Sequence, residues 1–271
     1  MQVMKIVGLA LIGASLAFAA AALFVLTMFE APKLVARWIP ASIAGKIGLQ
    51  GVKLFASADP DCNEGAGAAA LRRILDRLQS GADYGQPFKL HIVGGEMENS
   101  FALPGRHIVL VSGLIKRTNA PEEIAGVLAH EMGHGLEKDP EALFIRNIGM
   151  KILLKFLAWG DDSAAEFRAM LLQMRYSRDA ERSADAHAIA ILKRARISPE
   201  FAGDFIMRAA AQSPTGEGAL DDFGAHPASE ERARLFLSQP PYPAEPILTA
   251  AEWTAAQTIC DESGLRGKSS G

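Results

Sequence analysis

The chain reads as an α+β fold, mainly helical, with a small β-sheet beside one apolar central helix and an apolar N-terminal run. Three observations carry this. Segments of helical period dominate: Gly67–Gln79, the run opened by Pro121, Ser177–Ala195, the segment opened by Ser198-Pro-Glu, and Ala250–Ile259. Three short extended stretches lie between the first two of these. Residues Ile6–Phe29 run 24 positions without a charge.

Length and charge bound the partners. At 271 residues and 49% hydrophobic, the chain buries one core of ordinary size with an extra segment to spare. A net charge of −3 and the lack of a basic run exclude an electrostatic case for nucleic acid. Four regions follow: an apolar anchor at 1–30, a connector at 31–58, the main domain at 59–240, and a Pro-rich linker, short helix and flexible tail at 241–271.

The apolar run would make a helix about 36 Å long, enough to cross a bilayer. A cleaved signal peptide is the rival, since Ala17-Phe-Ala19 offers a small-x-small site. The apolar stretch continues past that site to Phe29, which favours an uncleaved transmembrane anchor. Lys5 precedes it while Lys33, Arg37 and Lys46 follow, a balance that leans towards a cytoplasmic domain. The connector mixes Pro32, Pro40 and glycines with basic residues, and Trp38 beside Arg37 suits a headgroup region.

In the main domain, Leu71, Ile74, Leu75 and Leu78 share one face of the first helix. Gly65-Ala-Gly-Ala-Ala-Ala mimics a dinucleotide loop, but no strand precedes it. Pro87–Val93, Asn99–Pro104 and His107–Ser112 read as extended, with Pro104 placing Phe101–Leu103 at an edge or turn. An exposed edge there would accept an extended peptide by main-chain pairing. His91 and His107 read as ordinary strand residues. Leu143–Trp159 reads as a core helix or a lipid-touching segment, and residues 163–176 continue as helix.

The chemistry concentrates in His130-Glu131-Met132-Gly133-His134. Pro121 suits a first helical turn, Thr118 or Asn119 can cap it, and Glu122 and Glu123 face its positive end. Four residues apart, His130 and His134 leave one helix face a turn apart, as two ligands of a single zinc ion must. Glu131 then reaches a water at the open position and takes its proton. A third ligand must come from elsewhere. In Ser177–His187, Glu181 and Asp185 fall on one helix face, with Ala184 and Ala188 permitting close approach of a neighbouring helix. Glu181 would bind zinc and Asp185 would orient a ligand histidine; a solvated charged helix is the competing reading. His187 lies about 240° round that helix from Glu181 and is not a ligand.

With Arg178-x-x-Glu181-x-x-Ala184-Asp185 added, the pattern resembles the HtpX/BepA/Oma and CAAX-prenyl-endopeptidase family of gluzincin metalloproteases. Asn99-Ser-Phe-Ala-Leu-Pro-Gly, Val111-Ser-Gly-Leu-Ile and His226-Pro-Ala-Ser-Glu-Glu-Arg232 resemble three further motifs of that family. Ser100 stands where Ala is usual and Arg106 where a second Gly is common; neither touches the expected chemistry. The resemblance implies a gluzincin-type fold, one Zn2+ per chain held by His130, His134 and Glu181, and Asp185 beside them. It makes Glu131 the catalytic base. It makes His226 either a stabiliser of the oxyanion or a self-inhibiting ligand, and Arg232 a support for that loop or for the Glu181 helix.

Two unrelated thiols or one disulfide fit Cys62 and Cys260 equally from spacing. The resemblance to exported bacterial members implies a Cys62–Cys260 bridge in an oxidising compartment, hence a single-pass protein of the bacterial inner membrane with a periplasmic domain. The function implied is a membrane-anchored zinc metalloendopeptidase acting on polypeptides, in quality control of misfolded or unassembled envelope proteins. The alternatives are a non-catalytic or latent chaperone-like adaptor, or a hydrolase of non-peptide substrates with a closed pocket in place of an open edge strand.

Overall fold

The computed structural model describes residues 31–56, 61–146, 175–212, 226 and 229–261, with Ser15, Ala17 and Phe18 of the N-terminal run. Nine helices whose bounds both fall among the described residues are assigned, with three strands. Helix α1 is Ala31–Trp38, α2 is Ala41–Ala56 and α3 is Gly65–Gln79. Strands β1 (Lys89–Val93), β2 (Ser100–Leu103) and β3 (His107–Val111) follow. Then come α4 (Ser112–Arg117), α5 (Pro121–Glu137), α6 (Arg178–Arg194), α7 (Glu200–Gln212), α8 (Glu230–Leu237) and α9 (Ala250–Gln257). Residues 139–146 are also helical, directly after α5. The fold is mainly helical around a small three-stranded sheet.

The sheet order is β1-β3-β2, with β3 parallel to β1 and antiparallel to β2. Strand β3 is buried at all five positions, and its alternation explains why. Ile108 and Leu110 point into the main core, with Leu90 and Ile92 of β1, the stripe of α3 and Ile124 and Leu128 of α5. Val109 and Val111 point the other way, with Phe101, Leu103, and Ile47 and Phe55 of α2. Helices therefore cover both faces. Each fully buried Leu, Ile or Phe contributes about 1.5–3 kcal/mol by leaving water.

Helix α5 crosses the interior, and its glycines set how closely its neighbours approach. A Cβ on Gly126 would stand 2.5 Å from Cβ of Ala202 in α7; one on Gly133 would stand 2.7 Å from the carbonyl oxygen of Ala184 in α6. A methyl at Gly133 would force α6 outward, and Glu181 with it.

Several expectations need correcting. The side chains of Thr118 and Asn119 do not cap α5: Ala120 is the N-cap, and Thr118 Oγ1 donates to the Ile115 carbonyl at the end of α4. Glu123 instead turns back to accept from the Asn119 N–H at 3.0 Å and from Arg208 at 2.7 Å. Strand β2 is an edge strand, as β1 is, but it is not exposed: its four residues are 1–7% accessible, packed against α5 and α2. His91 and His107 are strand residues as expected, in β1 and β3; their rings also stack, with Nε2 of one 2.9 Å from Nδ1 of the other. Residues 175–177 precede α6 without being helical.

Cys62 and Cys260 form a disulfide, tying the turn after α9 to the stretch three residues before α3. Gly67 permits the approach, since a Cβ there would meet the Ala255 carbonyl oxygen at 2.3 Å. The expected transmembrane helix falls on residues outside those described, apart from Ser15, Ala17 and Phe18. Among the described residues no helix is long and apolar enough to cross a membrane. The Leu143–Trp159 segment is described only as far as Arg146.

Candidate metal centre

Helix α5 presents His130, Glu131 and His134, each no more than 7% accessible. Helix α6 lies across it, and the small residues at the crossing let the Glu181 carboxylate reach both imidazoles: Oε2 is 3.4 Å from His130 Nε2, and Oε1 is 3.5 Å from His134 Nε2. The two histidine Nε2 atoms are 3.2 Å apart. His226, just before α8, brings Nδ1 to 3.2 Å from His130 Nε2 and 2.9 Å from Glu181 Oε1. The four residues each place a donor atom within 4.8 Å of the others.

Each α5 imidazole is oriented from behind. Asp185 Oδ1 lies 2.9 Å from His130 Nδ1, and Asp139 Oδ2 lies 2.9 Å from His134 Nδ1. Carboxylates at both Nδ1 atoms put the protons there and leave both Nε2 lone pairs turned towards each other. Two facing acceptors at that distance repel unless a proton or a metal cation stands between them. A tetrahedral zinc site with bonds of about 2.0–2.1 Å has ligand–ligand edges of about 3.3–3.4 Å. The observed separations bracket that value, and imidazole with carboxylate is a donor set zinc accepts. The residues fit the ion.

The electrostatics agree. Burial and Arg232 both work to lower the pKa of His130, but Asp185 and Glu181 raise it to about 9, so the cluster attracts positive charge. Burial opposes ionisation of Glu181, yet His226 and the hydrogen-bonding imidazoles hold it well below the carboxylate range. Asp185 is likewise held at about 2 against burial, chiefly by Arg232. Arg232 forks onto Asp185 at 2.8 Å through both Nε and Nη2, and Nη1 lies 3.0 Å from Glu181 Oε2. It therefore braces the Glu181 helix.

Glu131 Oε1 accepts from Ser100 Oγ at 2.7 Å, so the reading that Ser100 stands apart from the site is corrected. Its other oxygen, Oε2, is buried without a hydrogen-bond partner. His226 Nε2 stands 3.5 Å from Oε1, placing that imidazole between Glu131 and the donor cluster. Arg106, the second departure, lies outside the site; it holds a left-handed φ of 64° where the family favours Gly. His187 faces Glu137 at 2.8 Å, away from the cluster.

Sequence reasoning missed three neighbours. Asp139 follows Lys138, the left-handed residue that closes α5, and the acidic residue beyond that turn was its only signal. Tyr176 stacks on His134 with ring centroids 4.0 Å apart, and burial pushes its hydroxyl well above its ordinary pKa. Lys33 Nζ backs Asp139 at 3.8 Å. A mainly apolar cavity of about 70 Å³ opens beside Glu131 and His226, lined by Leu114, Val127, Phe205, Ile206 and Phe236.

A sequence model described as Peptidase family M48 matches residues 66–238, which hold every residue of this centre except Lys33. The chain belongs to peptidase family M48. Among similar M48 proteins, the mitochondrial metalloendopeptidase OMA1 of Arabidopsis thaliana is 27% identical over 177 residues, 64% of this chain and 36% of that one. The beta-barrel assembly-enhancing protease of Yersinia pestis is 25% identical over 160 residues, 54% and 33% of the two chains. A protease HtpX homolog of Desulfatibacillum aliphaticivorans is 34% identical over 151 residues, 44% and 47% of the two. This chain thus spans between 33% and 47% of the length of these three relatives.

Proposed function

We propose that this M48 protein is a membrane-anchored zinc-dependent metalloendopeptidase that hydrolyses polypeptides in the bacterial envelope, with its domain on the periplasmic side and misfolded or unassembled proteins as substrates. The observation that carries the reading is the convergence of His130, His134 and Glu181 beside a buried Glu131. The disulfide supports the oxidising compartment. The names of the relatives support peptide hydrolysis.

Zinc held by these residues would supply Lewis acidity towards a peptide carbonyl and a water of lowered pKa. The chain's own groups do the rest. Ser100 fixes one oxygen of Glu131 and leaves the other free to accept a proton from the attacking water and return it to the leaving amine. Asp185 and Asp139 keep the two imidazoles in the tautomer that turns Nε2 inward. The neighbouring apolar cavity suits a hydrophobic side chain of an unfolded substrate.

His226 occupies the space between Glu131 and the donors in which the attacking water must stand, and β2 is covered. We read this as a closed resting form: water enters, and a substrate pairs with β2, only when His226 moves aside. Full-length protein in detergent, loaded with zinc, is incubated with an unfolded protein, with and without chelator, beside Glu131→Gln and His226→Ala. Glu131→Gln retains zinc but not cleavage, and His226→Ala cleaves faster than the parent. Cleavage by Glu131→Gln at the parental rate refutes the enzyme reading; slower cleavage by His226→Ala makes His226 a catalytic group and not a latch.

A further inference from the structure

We propose that the outward face of α1 and α2 docks on the surface of an anionic lipid bilayer. It rests on the reading of residues 1–30 as an anchor only in that both put α1 at a membrane. Residues 31–56 carry Lys33, Arg37, Lys46 and Lys53 and no Asp or Glu, although the whole chain has a net charge of −3. Cationic charge is thus concentrated on one segment of an acidic protein.

The same segment exposes large apolar side chains. Trp38 is 86% accessible, Leu34 58%, Ile43 44%, Leu49 43% and Val35 41%. Helix α1 buries its opposite edge through Pro32 and Ala36. Helix α2 buries Ala44, Ile47, Gly48, Gly51, Val52, Leu54 and Phe55, and Gly48 lies so close to Pro104 that a Cβ would meet its carbonyl oxygen at 1.9 Å. Lys46, Leu49 and Lys53, at i, i+3 and i+7, form the stripe left facing out. Lys and Arg mixed with Trp and Leu on an exposed helix face is the composition of an element lying in a membrane interface, where the aliphatic stems of the lysines lie along the acyl boundary and their charges meet lipid phosphates. The uncharged run Ile6–Phe29 is separated from α1 by Glu30 alone, which fixes where along the chain the bilayer would be met.

Docking there also restrains the metal centre. Lys138, the residue that closes α5, points Nζ at the carbonyl oxygens of Ala36, Arg37 and Ile39 at 3.2–3.4 Å, and Lys33 of α1 backs the Asp139 that orients His134.

The test uses full-length protein reconstituted in phosphatidylcholine vesicles with or without phosphatidylglycerol, each also made with brominated acyl chains. Trp38 is read as the difference in tryptophan quenching between the parent and Trp38→Phe, so the other two tryptophans stay in place. Anionic vesicles should quench Trp38 strongly. Neutralising Arg37 and Lys46 (Arg37→Gln, Lys46→Gln) should lower the docked-to-free ratio about fivefold for each charge removed. A Trp38 that stays open to aqueous iodide while the chain is vesicle-bound overturns the proposal, as does a chain that does not bind at all. So does equal shielding of Trp38 without lipid, which would mean a second copy covers the face. Hydrogen exchange of residues 31–56 in the unmodified chain tests the same docking without a variant: exchange slower on anionic than on neutral vesicles supports it, and equal exchange on both overturns it. An alkaline wash tests the anchor separately: a chain quenched at Trp38 but released by alkali docks without being anchored.

Discussion

Arg232→Met is the sharpest probe of how the centre is held together. The guanidinium is 14% accessible and its partners Asp185 and Glu181 are 1% and 7% accessible, so three close ionic contacts lie out of water. Removing one partner of such a buried network costs about 3–5 kcal/mol, because the remaining charges are left uncompensated. Glu181 keeps its contacts to His130, His134 and His226 when the guanidinium is removed, which points to the lower end, about 3 kcal/mol. For a domain of this size that is a fall in Tm of about 6–12 °C. The assay is thermal unfolding by circular dichroism of chelated and zinc-loaded protein. Zinc bound at Glu181 would supply positive charge in place of the lost guanidinium, so the deficit should be smaller in the loaded protein. Arg232→Lys should fall between, since an ammonium cannot reproduce the fork onto Asp185. A loss below about 1 kcal/mol in the chelated protein would refute the argument, as the network would then be no better than a surface pair.

Three further outcomes follow from the contacts described. Ser100→Ala restores the family's usual residue but frees one oxygen of Glu131; kcat should fall about tenfold with KM little changed, measured on a peptide substrate. Breaking the disulfide with Cys62→Ala and Cys260→Ala releases a 198-residue separation, a destabilisation of about 5 kcal/mol in the chain-entropy model, read from denaturant midpoints. His107 has its pKa lowered to about 4, by burial first and then by His91 and Lys89. Its folded value lies below the unfolded value near 6.5, so its contribution is complete above that pH and is lost as pH falls towards 4. The loss is up to about 3 kcal/mol, shared with His91, and the difference in stability between the parent and His107→Gln should change over that window and not above it.

The parts of the molecule that could be read from the chain are those whose geometry is local. Four residues along a helix put His130 and His134 on one face whatever surrounds them, and the same spacing singled out Glu181 and Asp185. The β1–β3 hydrophobic runs and the α3 stripe were equally plain. His226 came only from resemblance, because no period links it to α5 across 96 positions. Ser100 and Tyr176 carry no signal of their own, and Asp139 only its place beyond the turn that closes α5; they matter because packing brings them to Glu131 and His134. Capping failed at Thr118 because its hydroxyl serves the helix that ends there, leaving Glu123 to answer the N-terminus of the next. Pro104 correctly marked an edge strand, but a breaker residue says nothing about what lies over the edge.

The donor residues come from three separated stretches: the pair on α5, Glu181 on α6 and His226 before α8. A ribosome has released His130 and His134 long before Glu181 exists, and Glu181 well before His226. Until α6 is made and seated against Gly133, the two histidines and Glu131 form only half a centre. On the proposed reading as a protease, the chain would gain competence only after most of it has been synthesised and packed. The order of residues along the polypeptide would then act as a timer, withholding the last donor residues until the rest of the domain exists.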